Sequence, residues 1–460
     1  MTSKQRNQVD YLINLLGRKR SIIEQEIESS SEEEIYTNLS QKEMLEQLST
    51  LYGWQMSKPH LKASLYESST TIQQDEVTND ILENYLNITQ LDIKSDQHVN
   101  YVLKCLNSKL PSYYKSLDAN HPWMTYWLIN SFYTIKNQSE PQKKFNVLDQ
   151  EIIDLINAKI ETCIIEDGQK GISGGKNQIG HVASTYAGVL TLVLTKNYTL
   201  LKKLKSNIYD WLMSLKIRIN DDQSAFIMHE NGEYDTRSTY CVLVIATLLN
   251  IKTSELLEGV EDWILSCQTY EGGFAGIPNT ESHGGYNFCA IASLFLINSD
   301  PHQVSKKIKN LDTFIKWNCD RITEEGGFNG RSNKLVDACY SFWIGAVFPM
   351  ISVMVGHNLM NKDSLFNYIL RISQNFEKGG FKDKPNKSVD FYHTNYTLMG
   401  LSLCEYEYEV DELKTGDDDC LALRFLEKTT ENNDDKFTNV INPVFGLPIE
   451  FLKEMRAENI

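Results

Sequence analysis

The chain has 460 residues, with 45 basic and 61 acidic side chains and a formal charge of −16. That acidic balance excludes a long basic nucleic-acid footprint. With 41% hydrophobic and 10% aromatic residues there is enough apolar surface for a large core, which excludes disorder of the chain as a whole.

Met1 to about Glu34 is polar and charged and lacks the apolar core of a secretory signal. This stretch, with the run Ser29 to Glu34 (SSSEEE), is assigned to a flexible extension at residues 1–60, and residues 61–460 to one repeat-built domain. The longest apolar run, Phe342 to Gly356, is shorter than the ~20 residues that span a bilayer and reads as a buried helix. An integral membrane protein is not expected. Nine cysteines without a CxxC pair suit free thiols in a reducing cytoplasm.

From Trp123 a pattern recurs: a Gly-rich turn, a nearly all-apolar segment, a break and an amphipathic segment. The turns are GISGG at 171, ENGEYD at 230, EGGFAG at 271, EGGFNG at 325 and KGGFKD at 378. The apolar segments begin near Trp123, His181, Arg237, Gly284, Asp337 and Phe391, at spacings of 58, 56, 47, 53 and 54 residues, which marks a helix-pair repeat. Segments such as YCVLVIATLL and GYNFCAIASLFLI are apolar all round and must be covered on both sides, so they are inner helices. Outer helices are expected over Leu148–Cys163, Leu200–Leu215, Ser254–Cys267, Val304–Trp317, Ser364–Ile372 and Cys420–Glu427, where apolar residues recur at helical spacing with charges between. An open array would expose one side of the inner set. The expected fold is therefore all-α, an α/α toroid (barrel) of six helix pairs with the inner N-termini on one rim. Their positive dipole ends converge on one cavity mouth and favour an anionic ligand there.

Asp337 and Cys339 stand two apart where a helix should start after EGGFNG; a second D-x-C, Asp418 and Cys420, lies in the acidic run GDDDC. Residues two apart diverge on a regular helix, so both can face one ion only at an irregular first turn, where Asp also caps. His393 lies two past Phe391 as Cys339 lies two past Asp337, which makes them equivalent positions in neighbouring units. Asp, Cys and His match a catalytic zinc with three protein ligands and one open position. Arg331, Lys334, Lys384, Lys387 and His283 fall on loops of the same rim and form a candidate diphosphate seat. Asp383 can hold Mg²⁺ against such a phosphate. Trp123, Tyr126, Trp127, Tyr186, Tyr240, Tyr286, Tyr340, Trp343, Tyr392 and Tyr396 either fill the ring or line a pocket for a long apolar ligand. A diphosphate seat above such a pocket points to an isoprenoid diphosphate.

The spans LDANHPWMTYW, EGGFAGIPNTESHGGYNFC, GGFNGRSNKLVDACYSFW and GGFKDKPNKSVDFYHTNY resemble the protein prenyltransferase β-subunit family, in its farnesyltransferase branch, from about residue 90 to NPVFGLP. The resemblance implies zinc on Asp337, Cys339 and His393, one ion per β subunit. It implies diphosphate contacts from His283, Arg331, Lys334 and Tyr340, the residues that act on the reaction, with Mg²⁺ near Asp383. Tyr240, Tyr286 and Trp343 match isoprenoid-lining positions; Trp123, Trp127 and Tyr392 match the channel where isoprenoid and peptide meet, which Tyr186 also lines. Arg237 matches a residue near the peptide's C-terminal carboxylate. A bulky Trp123 and a carboxylate at 383 resemble the farnesyl type, whereas the geranylgeranyl type I relative has a small residue and a lysine there. Asn120 and Ser184 depart from the Ser and Pro of better-known members around the last peptide residue.

The implied reaction is transfer of farnesyl from farnesyl diphosphate to the cysteine of C-terminal CaaX proteins such as small GTPases, by a cytoplasmic heterodimer with an α subunit. Two alternatives are a geranylgeranyltransferase type I β subunit and a non-catalytic helical scaffold. A terpene cyclase would need a DxDD or DDxxD motif at the cavity, and GDDDC lies outside the inner-helix pattern.

Overall fold

The computed structural model describes residues 68–88, 92–109, 112–136, 145–411, 420–428, 436–458 and 460. The assigned extension at 1–60 and Asp418 lie outside them. In chain order the helices are α1 (Ser69–Asn87), α2 (Ser95–Asn107), α3 (His121–Thr134), α4 (Gln150–Glu161), α5 (Val182–Leu194), α6 (Tyr198–Asn207) and α7 (Tyr209–Ser214). They continue as α8 (Thr236–Leu248), α9 (Ser254–Leu257), α10 (Val260–Ser266), α11 (Gly284–Ile297), α12 (Pro301–Lys307) and α13 (Leu311–Cys319). The last are α14 (Tyr340–Trp343), α15 (Val347–Val355), α16 (Lys362–Tyr368), α17 (Phe391–Glu405) and α18 (Ile449–Ala457).

Inner helices α3, α5, α8, α11, α14 and α17 each pack on the next, and α17 packs back on α3, so the ring closes. All of α5 but Ala183, and all of α8 but Arg237, is buried, as expected for helices covered on both sides. Asn130 of α3 donates to Asn395 Oδ1 of α17 at 2.9 Å, a polar clasp across the closing seam. The expected toroid is the observed fold.

The rim is built the same way five times. The backbone N–H of His121, Val182, Thr236, Gly284 and Ala338 donates to the carbonyl of Gly174, Met228, Gly276, Gly330 and Asp383 respectively, each in the following Gly-rich loop. In the loops before five inner segments, Asn177, Asn231, Asn279, Asn333 and Asn386 adopt positive φ. Four residues on stand His181, Asp235, His283, Asp337 and Asp390, and each accepts a backbone N–H of the helical turn it begins. Asn tolerates the left-handed turn and Asp or an unprotonated His nitrogen satisfies orphan donors. All the inner N-termini therefore share one rim.

Two expectations are corrected. Cys420–Glu427 is no outer helix: Leu421–Arg424 is one 3-10 turn, and strand Phe425–Glu427 pairs antiparallel with Tyr408–Val410. The sixth outer position is taken by α2, which precedes the first inner helix and packs on α3. Phe342–Gly356 is buried through Ile351 apart from Trp343 and partly accessible beyond it, and it is not one helix, because the helix breaks between α14 and α15. There Gly400 of α17 meets Ser341, and a Cβ on Gly400 would lie 2.2 Å from Ser341 Cβ. At the opposite end the segment 436–448 crosses the base, its Val444 and Gly446 carbonyls accepting from Tyr240 Oη (2.7 Å) and Asn130 Nδ2 (2.9 Å).

His98 pins α2 to the KGGFKD loop. Its Nδ1 accepts from Gly380 N–H at 2.9 Å, its Nε2 donates to Gln374 Oε1 at 2.9 Å, and the ring stacks on Phe381 at 4.4 Å. Burial, only partly offset by Gln374, lowers its pKa to about 4. The folded value lies below the unfolded 6.5, so between them the unfolded chain binds more protons. The stability from the neutral ring is complete above pH 6.5 and is lost as pH falls toward 4. About 2 kcal/mol is expected to go between pH 7 and 5. Urea melts at both pH values should show His98→Gln flattening that slope relative to wild type.

Candidate active site

Asp337, Cys339 and His393 present one ligand atom each, all within 4.8 Å of one another. Asp337 opens the fifth inner segment, and its Oδ1 accepts the Cys339 N–H at 2.8 Å, which turns both side chains toward one point. His393 Nε2 lies 3.3 Å from Asp337 Oδ1, and its Nδ1 donates to Asp390 Oδ2 at 2.6 Å. Asp390 itself caps α17 by accepting the His393 N–H at 2.8 Å. The caps also reset the repeat register: Asp390 is the counterpart of Asp337, so Tyr392 answers to Cys339 and His393 stands one residue further on. The expected equivalence of Cys339 and His393 is off by one, because each segment's phase is set at its cap rather than at its first apolar residue.

Burial opposes the charges here, but the pairing wins. The Asp337 carboxyl, pushed up by burial, is held at about 2 by His393, and the His393 ring, pushed down by burial, is raised to about 10 by Asp337 and Asp390. Burial first and then Asp337 push the Cys339 thiol well up. One nitrogen, one sulfur and one carboxylate, with Nδ1–H of the imidazole already fixed by a carboxylate, are the donor set and outer support of a zinc site with an open position. The residues fit that ion. Asp383 Oδ2 pairs with buried Lys384, while its Oδ1 is buried without a hydrogen-bond partner among the described residues. Burial first and then Asp337 raise its pKa. That orphan oxygen fits a cation.

His283 caps α11, its Nδ1 accepting the Gly285 N–H at 3.1 Å. The neutral ring therefore carries its proton on Nε2, which donates to Tyr340 Oη at 3.0 Å and leaves the Tyr340 O–H free for a further acceptor. Burial and then Arg331 lower the His283 pKa, favouring that neutral form. Tyr340 reaches His283 because Gly330 has no side chain: a Cβ there would lie 2.1 Å from the phenol oxygen. Arg331 pairs with Glu281. Lys334 is exposed and forms no hydrogen bond or ion pair with the other candidates. Arg237 is held by the Asp235 carboxylate, with Nη2 to Oδ2 at 2.6 Å, and lies over the Tyr286 ring at 5.3 Å.

Seven of the aromatic candidates, joined by Phe288, form a circuit with a contact from each inner helix to the next. Ring centroids lie 5.4 Å apart for Trp123–Tyr186, 5.6 Å for Tyr186–Tyr240 and 5.4 Å for Tyr240–Phe288. The circuit continues at 5.2 Å for Phe288–Trp343, 4.4 Å for Trp343–Tyr396, 4.7 Å for Tyr396–Tyr392 and 5.5 Å for Tyr392–Trp127. Trp123, Trp127, Tyr286, Tyr340, Trp343 and Tyr392 stay partly accessible, whereas Tyr186, Tyr240, Phe288 and Tyr396 are sealed. Trp343 Nε1 donates to Tyr392 Oη at 2.9 Å. Phe288, Asp390, Asp235 and Glu281 are members that sequence reasoning missed. Only Asp390 and Asp235 carry a signal, an Asp directly before an inner helix.

A closed ring of helix pairs with a zinc-type donor set at one rim and aromatics beneath defines the α/α-toroid class of prenyl-group enzymes. The chain matches the prenyltransferase alpha-alpha toroid domain over residues 93–446. It is 36% identical over 353 residues to the protein farnesyltransferase subunit beta of Schizosaccharomyces pombe, covering 74% of this chain and 86% of that one. With the Saccharomyces cerevisiae protein farnesyltransferase subunit beta the identity is 35% over 397 residues, covering 85% and 86%. A chain of the solved Candida albicans protein geranylgeranyltransferase-I complexed with GGPP superposes with a TM-score of 0.61 at 26% identity, covering 79% of this chain and 99% of that one. The chain belongs to the protein prenyltransferase β-subunit family, as a relative of the farnesyltransferase β subunits. Among the described residues no helix is long and apolar enough to cross a membrane.

Proposed function

We propose that this chain is the catalytic β subunit of a cytoplasmic protein farnesyltransferase, paired with an α subunit, that moves farnesyl from its diphosphate to the cysteine of a C-terminal CaaX motif. The observation that carries this reading is the convergence of Asp337, Cys339 and His393 within 4.8 Å on the rim that also bears the His283–Tyr340 pair. No disulfide joins the nine cysteines, which agrees with a reducing compartment.

Asp337, Cys339 and His393 would hold zinc, which when bound lowers the pKa of an acceptor thiol and keeps it as thiolate at neutral pH. Asp390 keeps the His393 Nδ1–H engaged, which leaves Nε2 as the nitrogen that would hold the metal. Tyr340 donates its free O–H, and Arg331 and Lys334 their charges, to the diphosphate oxygens as negative charge grows on the leaving group. His283 orients Tyr340, and Asp383 would hold Mg²⁺ against the same oxygens. Trp123, Trp127, Trp343 and Tyr392 exclude water and fix the tail, with Tyr186, Tyr240 and Tyr286 behind them. Arg237, aligned by Asp235, receives the peptide carboxylate. Tyr340→Phe is expected to lower kcat by roughly tenfold with zinc content unchanged, read from single-turnover transfer and metal analysis.

The likeness to the geranylgeranyltransferase-I chain supports a second reading, a type I geranylgeranyl enzyme. Trp123 and Asp383 favour the farnesyl one. The deciding experiment is co-expression with an α-type subunit and a competition between farnesyl and geranylgeranyl diphosphates on CaaX peptides varied at the last residue. Preference for the longer lipid selects the second reading. A purified heterodimer without stoichiometric zinc or transfer defeats both and leaves the scaffold.

A further inference from the structure

Helix α1 ends before the residues that match the toroid family, yet it is fastened to both loops that carry the proposed diphosphate seat. The first loop opens at Glu325 and leads to Arg331, Lys334 and Asp337. Glu325 is 3% exposed; its Oε1 accepts from Gln74 Nε2 at 2.7 Å and Thr78 Oγ1 at 2.6 Å, and its backbone carbonyl accepts from Tyr85 Oη at 2.7 Å. The second loop carries Asp383, Lys384 and Lys387, and there Asn386 Nδ2 donates to Asp80 Oδ2 of α1 at 2.8 Å.

Gln74, Thr78, Ile81 and Tyr85 follow helical spacing and form one face of α1. If the helix only covered the barrel, an apolar face would serve. Instead it supplies two donors to a buried carboxylate that has no cationic partner among the described residues, an arrangement that is costly without those donors and specific with them. Bridges Ile322↔Phe328 and Asn329↔Val336 make the first loop a closed unit, so a shift at Glu325 reaches Arg331. At their inner ends the loops meet at the Asp383 carbonyl, which accepts from Ala338 N–H at 3.0 Å and Tyr368 Oη at 3.1 Å. Asp383 thus ties them at one end and α1 at the other.

We propose that α1 is a strap that sets the spacing between Arg331 and Lys334 on one loop and Asp383, Lys384 and Lys387 on the other, with Gln74, Thr78 and Asp80 as positioning residues for diphosphate binding. This rests on the prenyl-transfer reading. Asp337 closes the first loop, but its carboxylate is anchored to the helix start by the Cys339 N–H, and Asp390 anchors His393 on α17, so loosening the strap acts on the diphosphate seat before the metal site. A displacement of about 1 Å is enough to alter binding and rate strongly.

The test uses the full-length chain as heterodimer with an α-type subunit and compares wild type, Gln74→Leu/Thr78→Val, Thr78→Ser and Asp80→Ala. The double variant should raise the KM for prenyl diphosphate roughly tenfold, speed amide exchange in residues 325–336, and leave zinc content and the acceptor-peptide KM unchanged. Asp80→Ala should act in the same direction through the second loop, and Thr78→Ser should stay at the wild-type value. Unchanged diphosphate KM in an active enzyme overturns the strap, as does a loss of zinc and a lower melting temperature in parallel with a raised peptide KM. A wild-type heterodimer that transfers no prenyl group defeats the functional reading instead.

Discussion

Replacing Cys339 by alanine is expected to take bound zinc from one ion per chain to none and to lower prenyl transfer by about a thousandfold. Three donors is the minimum for a site that keeps one position open for substrate, and Cys339 supplies its only sulfur. The two survivors cannot replace it: one nitrogen and one carboxylate leave the ion a protein donor short. The fold should be indifferent, because the Cys339 N–H, not its thiol, makes the capping bond to Asp337. Asp390→Asn provides the graded companion. It keeps an acceptor for the helix cap but weakens the grip on Nδ1–H, and zinc affinity should drop by about 10- to 100-fold with the three ligands intact. Metal analysis after dialysis against a graded chelator separates the two variants. Full zinc occupancy in Cys339→Ala would move the metal, and with it the proposed reaction centre, elsewhere.

The toroid was legible because its inner helices have no polar face: YCVLVIATLL cannot lie on a surface, and the Gly turns recur between such segments. The cluster that could hold a metal was legible from residue type and from its place after a rim loop. What escaped was set by contacts distant in sequence. Helix α2 reads as a polar stretch because its key buried residue is His98, whose burial is tolerated only through Gly380 and Gln374, far along the chain. Cys420–Glu427 shows helical periodicity over too few residues to outweigh pairing with Tyr408–Val410. Phe288 looked like any core phenylalanine until the closed ring placed it between Tyr240 and Trp343. Glu325 is an ordinary turn acid in sequence and becomes informative only once Gln74 and Thr78 meet it.

Trp123→Ala is expected to shift the ratio of kcat/KM for the C20 over the C15 prenyl diphosphate by roughly a hundredfold toward the longer lipid. Trp123 is partly accessible and lies against sealed Tyr186 at 5.4 Å and Trp127 at 5.7 Å, with Tyr126 behind at 6.1 Å. In the proposed reading it is thus the last large side chain a tail meets before rings that the closed barrel holds in place. Tyr126 and Tyr240 cannot retreat, since their hydroxyls bond to the Gly446 and Val444 carbonyls of the segment crossing the base. Removing the indole therefore opens depth at one point and not generally. An extra isoprene unit has five carbons, and its burial is worth at most about 4 kcal/mol; imperfect filling of the new space leaves about 3 kcal/mol, or roughly a hundredfold. Use of the C15 substrate should decline as its tail loses a packing wall, while zinc content stays the same because no contact joins Trp123 to the donors. Trp123→Phe should fall between. An unchanged ratio in the alanine variant would mean that the sealed rings below, Tyr186 and Tyr240, already end the tail's path, and that chain length is read there rather than at the indole.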